Sequence, residues 1–327
     1  MASDNNLKEG RPAEELLRSR DTLKCTEALR LRQWFSTFRM DPTHDLDTYG
    51  RALYEGDIVQ LKADWYAHLA RFLPKTNSEE CAHEAAAQEV YLRHWSAARL
   101  PVFHLLLVAR AAPTNTTRRA QHLAIARWLI STVRLPVDSM DVCGSSALFH
   151  ALEVPTFDPE FAQVLYDAGG DVNHRNRFGM TAAHEIALLS DAQDEKIAQR
   201  AADALAWYLS HSGNIDIRDN DGQTARMSVD SSRKLAEQGI QLPIWDVVDK
   251  EDRRRKKLGE NICTFCGRAP EGEGKDYLLV CSRCKIATYC PPPRHCQLGD
   301  WPRHRLTCAK HQPAEQGSKY FGVKLNK

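Results

Sequence analysis

The 327-residue chain has almost no net charge: 44 Lys/Arg stand against 43 Asp/Glu. Overall charge therefore points to no polyanionic or polycationic partner. Long hydrophobic runs are missing as well. The run Val102–Ala112 is interrupted by His104 and Arg110, short of the roughly 20 apolar residues of a membrane-spanning helix. Residues Met1–Pro12 are polar and charged, without the apolar core of a secretory leader. Common catalytic signatures are absent too. His83-Glu84 is followed by Ala87, and His184-Glu185 by Leu188, where a zincin helix needs a second histidine. No glycine-rich phosphate loop occurs. The expectation is an intracellular protein of cytoplasm or nucleus, not a membrane protein. With 43% hydrophobic and 27% charged residues, its composition is that of ordinary globular chains.

What is present is unevenly placed. Residues 250–327 carry 17 Lys/Arg and 8 Asp/Glu, a balance of +9, and the first 249 residues carry −8. Of ten cysteines, seven lie between Cys263 and Cys308, and Cys25, Cys81 and Cys143 are scattered. Inside the cell such a cluster reads as metal-binding rather than disulfide-forming. Two separate units are expected: a mildly acidic body and a basic, cysteine-rich C-terminal piece.

In the body, Pro12 to about Met40 reads as one helix with Leu16, Leu23 and Leu31 among charged residues. Asp57, between Gly56 and the stripe Ile58, Leu61, Trp65 and Leu69, reads as an N-cap. Three stretches then share one grammar: Asp141 to Leu148 around Gly144, Asn176 to His184 around Gly179, and Asp219 to Ala225 around Gly222. Each has Asp/Asn, two residues, Gly, one residue, Ser/Thr and Ala. Glycine permits positive φ in a tight turn, the hydroxyl caps the next helix, and the small alanines let neighbouring units pack closely. Such units bury their apolar faces only by stacking.

At these residues the chain resembles ankyrin repeats. The stretch from Gly169 through His184 follows that pattern most closely, with Thr181 to His184 standing where the family has Thr-Pro-Leu-His. The 43-residue spacing of Gly179 and Gly222 implies an insertion, placed at 190–195. Decayed repeats are expected to extend the match to 53–69 and 100–135. A generic helical domain with three glycine turns is the alternative. Pro243–Leu258 reads as a charged helix carrying Arg253 to Lys257, a basic run that suits a nuclear address, a phosphate-binding patch or a solvated linker face.

The C-terminal cysteines are spaced Cys263-x2-Cys266, Cys281-x2-Cys284, Cys290, Cys296, His304-x3-Cys308. Seven thiols and one imidazole make two tetrahedral zinc sites, two ions per chain, one with four cysteines and one with three cysteines and a histidine. Spacing alone allows sequential or interleaved pairing. Four protein ligands per ion leave no place for a reactive water, so the zinc is structural. It would contribute on the order of 10–16 kcal/mol per ion to folding.

This stretch resembles a MYND zinc finger, through Cys281 to Cys284, Tyr289-Cys290, Cys296-Gln297, Asp300 to His304, and Cys308. The resemblance implies interleaved coordination: Cys263, Cys266, Cys290 and Cys296 on one ion, Cys281, Cys284, His304 and Cys308 on the other. It also implies a reader of short proline-containing peptides, often PxLxP, with a groove at Ser282, Gln297 and Trp301 and a peptide path along the strand 286–289. Trp301 also suits a core anchor beside the zinc, and Gln297 a capping role. One departure is the five-residue spacer Pro291 to His295, where the family has three. His295 is the alternative ligand to Cys296.

The fold class expected is mostly α: an ankyrin-like solenoid followed by a two-zinc finger. Its divisions are a helical cap over 1–45, helical repeats over 46–242 (clearest at 134–240), a charged linker over 243–260, the finger over 261–310 and a tail over 311–327. The function expected is a non-catalytic protein–protein interaction adaptor, with transcriptional regulation as the setting the resemblance implies. One alternative is an enzyme resembling MYND-associated lysine methyltransferases, whose Asn-His-Ser-Cys stretch is missing here; Cys143 with His150 is the thiol–base pair such a reading could invoke. Another is nucleic-acid binding by the basic part. Seven thiolates and two zinc ions would lower its surplus to about +6, and no aromatics interleave its basic run as stacking platforms would.

Overall fold

The computed structural model describes residues 10–112, 118–154, 156–188, 194–270, 277–291 and 296–308. The chain divides into two compact units, Met1–Asp249 and Lys250–Lys327. No helix among the described residues is long and apolar enough to cross a membrane.

The first unit opens with α1 (Ala13–Arg18) and α2 (Cys25–Thr37). The single helix expected here is broken at 19–24, because those residues bond to a distant turn instead. Leu23 donates its backbone N–H to the Arg177 carbonyl (2.7 Å). The Arg177 guanidinium reaches the Asp21 carbonyl (2.9 Å) and Ser19 Oγ (2.7 Å). Helix α3 (Thr48–Glu55) stops at left-handed Gly56 (φ 77°). Asp57 then accepts from the N–H groups of Val59 and Gln60 to start α4 (Ile58–Phe72), the N-cap its position implied. Helix α5 (Glu79–Tyr91) follows, capped by Ser78.

From here the chain repeats a turn and a helix pair. A hairpin of β1 (His94–Trp95) and β2 (Leu100–Pro101) precedes α6 (Val102–Ala111) and α7 (Arg119–Ser131). Next come α8 (Ala147–Ala151) with α9 (Pro159–Asp167), α10 (Ala182–Ala187) with α11 (Glu195–Ser210), and α12 (Ala225–Ser232) followed by α13 (Pro243–Leu258). Gly144, Gly179 and Gly222 hold φ of 74°, 75° and 86°. Ser146 and Thr224 accept from the N–H groups three residues on, and Thr181 forms a reciprocal capping box with His184. The small alanines are buried as expected. Each turn bonds to the one before it: Arg177 N–H to the Cys143 carbonyl and Asn220 N–H to the Phe178 carbonyl, both at 2.9 Å. The body is therefore a stack of ankyrin-like units, and most of it is α-helix.

The same bond reveals an earlier member of the series. Val142 N–H donates to the Ala98 carbonyl (3.0 Å), and Arg99 takes the left-handed position (φ 55°) that glycine takes in the later turns. Pro101 and His104 stand where Thr181 and His184 stand. This places a decayed unit over the expected 100–135 stretch, hidden from a glycine search by its arginine. Most of the insertion expected at 190–195 lies outside the described residues; α11 begins after Asp194, its N-cap.

The core runs through the stack, with Leu105, Leu106, Ile125, Leu129, Phe161, Leu165, Leu205 and Tyr208 at most 2% exposed. Each such side chain contributes roughly 1.5–3 kcal/mol by leaving water. Two polar ties cross it. Arg110 binds Asp158 at 2.7 Å inside the core. Tyr208 Oη donates to Asn173 Oδ1 (3.0 Å), which also accepts from Asn214 N–H (2.8 Å).

In the second unit, β3 (Leu279–Val280) pairs antiparallel with β4 (Thr288–Tyr289), Leu279 opposite Tyr289, and α14 (Cys296–His304) follows.

Candidate metal centre

Tight turns set the first four donors. After Cys263 the chain closes on itself, Gly267 N–H donating to the Cys263 carbonyl (2.8 Å), so that Cys263 and Cys266 face one point. Lys285, in the left-handed region at φ 60°, donates to the Cys281 carbonyl (3.0 Å) and does the same for Cys281 and Cys284. Cys290 follows β4 directly, and Cys296 opens α14. That helix ends at His304, and one more turn, closed by Cys308 N–H on the His304 carbonyl (2.8 Å), brings Cys308 back beside it.

These eight residues form two buried groups, Cys263, Cys266, Cys290, Cys296 and Cys281, Cys284, His304, Cys308, with the donor atoms of each within 4.8 Å of one another. The grouping is the interleaved one. Cys266 and Cys290 Sγ are 3.6 Å apart and Cys281 and Cys308 Sγ 3.9 Å. His304 Nε2 lies 3.5 Å from Cys284 Sγ and 3.4 Å from Cys281 Sγ. A tetrahedral zinc ion with Zn–S near 2.3 Å has ligand edges of about 3.8 Å for S–S and about 3.5 Å for S–N. The donor set and its spacing fit zinc. The Cys281 thiol is drawn down to about 6, first by the backbone N–H of Cys284 and then, against burial, by that of Arg283. Thiolate is the form a metal binds.

Around the donors, Asp300 is 1% exposed. It accepts from Tyr289 Oη (2.8 Å) and from Arg303 Nε (2.9 Å). Burial and then Asp300 push the Tyr289 hydroxyl up, which keeps it a donor. Gly299 gives room for the Phe265 ring, since a Cβ there would stand 2.7 Å from Phe265 Cζ. Of these five residues, Tyr289, Asp300 and Arg303 entered the sequence analysis only as motif positions, and Phe265 and Gly299 not at all. The signal for Asp300 was an acid three residues before Arg303 on a short helix whose other face carries ligands.

The residues expected in the peptide groove are exposed. Ser282 lies within the second knuckle, and Gln297 and Trp301 sit one turn apart on α14, with Trp301 39% exposed and its ring 6.1 Å from His304. A cavity of about 460 Å³ in this unit is lined by Ile262, Thr264, Ile286, Thr288, Arg303 and Thr307, and by none of those three. Strand β4 is engaged on both sides. Besides β3, Thr264 N–H donates to the Thr288 carbonyl (2.7 Å) and Thr264 Oγ1 accepts from Thr288 N–H (3.0 Å). The strand implied over 286–289 therefore has no open edge at Thr288. His295, three other spacer residues and His311 lie outside the described residues. In the basic run, Arg254 and Arg255 both bind Glu251, at 2.7 and 2.6 Å, so these two guanidinium groups are engaged by a carboxylate rather than held open for a phosphate.

A third group, His104, Asp141 and His150, is buried in the first unit. It is not built for a metal. Both His150 nitrogens are engaged, Nε2 with Asp141 (2.8 Å) and Nδ1 with Glu153 (3.0 Å). The His104 and His150 rings stack at 3.9 Å, so their in-plane lone pairs do not converge. His150 is thus committed to carboxylates, and burial holds the Cys143 thiol far above its ordinary value. The thiol–base pair is not formed.

Comparison with known proteins matches residues 263–308 to the family model described as MYND finger. This part of the chain is a MYND finger. Two N-lysine methyltransferases of Xenopus laevis, SMYD2-B and SMYD2-A, are each 33% identical over 91 residues, 28% of this chain and 18% of theirs. The chain thus spans less than a fifth of the length of those relatives. Among solved structures, the ankyrin repeat protein EF0377 (TM-score 0.39, 16% identity) covers 73% of this chain and 96% of its own. The ankyrin repeat domain of Bcl-3 (TM-score 0.34, 16% identity) covers 63% and 100%.

Proposed function

We propose that the chain is a non-catalytic adaptor: an ankyrin-like body and a finger holding two zinc ions through Cys263, Cys266, Cys290, Cys296 and Cys281, Cys284, His304, Cys308. The finger binds proline-containing peptides of PxLxP type. The observation that carries this reading is the pair of closed donor sets, whose four protein ligands each leave no coordination position for a substrate. The zinc supplies folding energy to a unit with few core residues, and this chain's own side chains make the binding surface.

Two features support peptide recognition. Trp301, Leu279 and Val280 remain 39%, 37% and 51% exposed on this small unit, and large aromatics commonly dominate such contacts. With β4 engaged at Thr288, the peptide main chain pairs along β3, adjoining Ser282, rather than along 286–289. Affinity is micromolar, because a short strand and a shallow groove bury little surface. The test is calorimetric titration of a PxLxP peptide into the intact zinc-loaded chain. Trp301→Ala is expected to weaken binding about 30-fold or more, a hot-spot loss of about 2 kcal/mol. Ser282→Ala and Gln297→Ala weaken it while retaining zinc. No binding by the wild type with zinc confirmed would overturn peptide recognition and leave the body as the scaffold.

A further inference from the structure

Residues 10–37 do not simply precede the repeats; they lie across three successive turns. Arg177, at the second turn, donates to the carbonyls of Leu16 (3.1 Å) and Asp21 (2.9 Å) and to Ser19 Oγ (2.7 Å). The same guanidinium holds the first turn through the Val142 carbonyl (2.8 Å). At the third turn, Asn220 Nδ2 donates to the Leu23 carbonyl (2.8 Å), and Asp221 accepts from Cys25 N–H (3.1 Å). Helix α2 then continues onto the repeat helices: Arg32 binds Glu185 of α10 (3.2 Å), and Phe35 stacks on His150 of α8 (5.9 Å).

The contact has its own small core. Leu16, Leu23, Ala28 and Leu31 pack with Val142, Cys143, Phe178 and Met180, as a cluster separate from the main core of the stack. Three of the remaining contacts run from repeat side chains to main-chain carbonyls of the segment, those of Leu16, Asp21 and Leu23, the pattern by which a folded surface holds a peptide whose sequence it reads at only a few anchors. The repeats stack through their own bonds and core without this segment.

We infer that the face made by the three turns with α8 and α10 is a peptide-binding surface, and that residues 10–37 are its built-in ligand, occupying it until a partner segment of the same chemistry displaces them. That segment is a short non-helical run offering carbonyls to Arg177 and Asn220, followed by an amphipathic helix with a small apolar residue at the Ala28 position, a leucine at the Leu31 position and an arginine for Glu185. A tethered ligand competes at an effective concentration in the millimolar range, so outside segments bind weakly until the strap is loosened. This extends the adaptor reading to the first unit and does not depend on the finger or its zinc.

The test uses the full chain and a labelled synthetic peptide of residues 11–38. Leu31→Asp places a charge in the small cluster and releases the strap. This variant is expected to bind the peptide at least about tenfold more tightly than wild type, and hydrogen exchange in α2 is expected to speed up while α8 and α10 stay protected. Cys25 Sγ lies 3.3 Å from the Asp221 carboxylate, so Asp221→Cys allows a disulfide that locks the strap; the oxidised form binds no peptide and reduction restores binding. Failure of Leu31→Asp to bind, whether because the strap holds or because the body melts with it, would make residues 10–37 an integral part of the domain and overturn the inference. A wild-type dimer with exchanged straps would make a second copy the occupant and would also overturn it.

Discussion

A Cβ on Gly179 would stand 2.4 Å from Asn220 Oδ1 and 2.7 Å from Asn220 N. The second turn is pressed against the third, and only a glycine fits between them. Gly222, in the same position of the third turn, has nothing within 4 Å. Both hold positive φ, which costs a non-glycine residue about 1 kcal/mol. Gly222→Ala is therefore expected to lose about 1 kcal/mol of stability. Gly179→Ala, which also displaces Asn220 from the Arg177, Leu23 and Phe178 carbonyls, is expected to lose about 2–4 kcal/mol. Urea unfolding followed by circular dichroism measures both; equal losses would contradict the stacked-turn description.

The buried His150 sets a pH dependence. Burial by itself lowers its pKa, but the carboxylates of Glu153 and Asp141 more than offset this and raise it to about 10. His104, stacked on the same ring, is pushed well below its ordinary value by burial and by the His150 charge. A raised folded-state pKa gives stability that is complete below about 6.5 and lost as pH rises through about 10. The size is on the order of a few kcal/mol. Between pH 8 and 10.5 the wild type is expected to lose stability more steeply than His150→Asn, as read by urea midpoints across that range. Parallel slopes would show that His150 is not held as imidazolium.

Removal of metal separates the two units. A finger that holds zinc as proposed depends on it for its fold, whereas the repeats rest on stacked apolar faces. A strong chelator is expected to expose the amides of residues 261–308 to rapid hydrogen exchange while α6 through α12 keep their protection. Loss of protection in those helices on chelation would show that the body depends on the zinc.

Much of this was readable in the sequence because it is local. Gly144, Gly179 and Gly222, the capping hydroxyls of Ser146 and Thr224, the Asp57 cap, α13 over Pro243–Leu258 and the donor spacing from Cys263 to Cys308 each announce themselves within a few residues. What stayed hidden depends on contacts distant in sequence. Arg99 occupies a turn position without the glycine that marks it. The break after Arg18 comes from bonds to Arg177, some 150 residues away. The position of α2 rests on Arg32 with Glu185 and Phe35 with His150, pairs that no periodicity links. Thr264 engages the β4 edge through two bonds that nothing in the spacing of the cysteines marks.

The proposal that the finger holds two zinc ions is tested most directly by native mass spectrometry of the freshly reduced full chain. Eight donors in two closed sets require a mass two zinc ions above that of the chelated chain. A single zinc ion, or none, in reduced protein would contradict the pairing of Cys263, Cys266, Cys290 and Cys296 on one ion and Cys281, Cys284, His304 and Cys308 on the other.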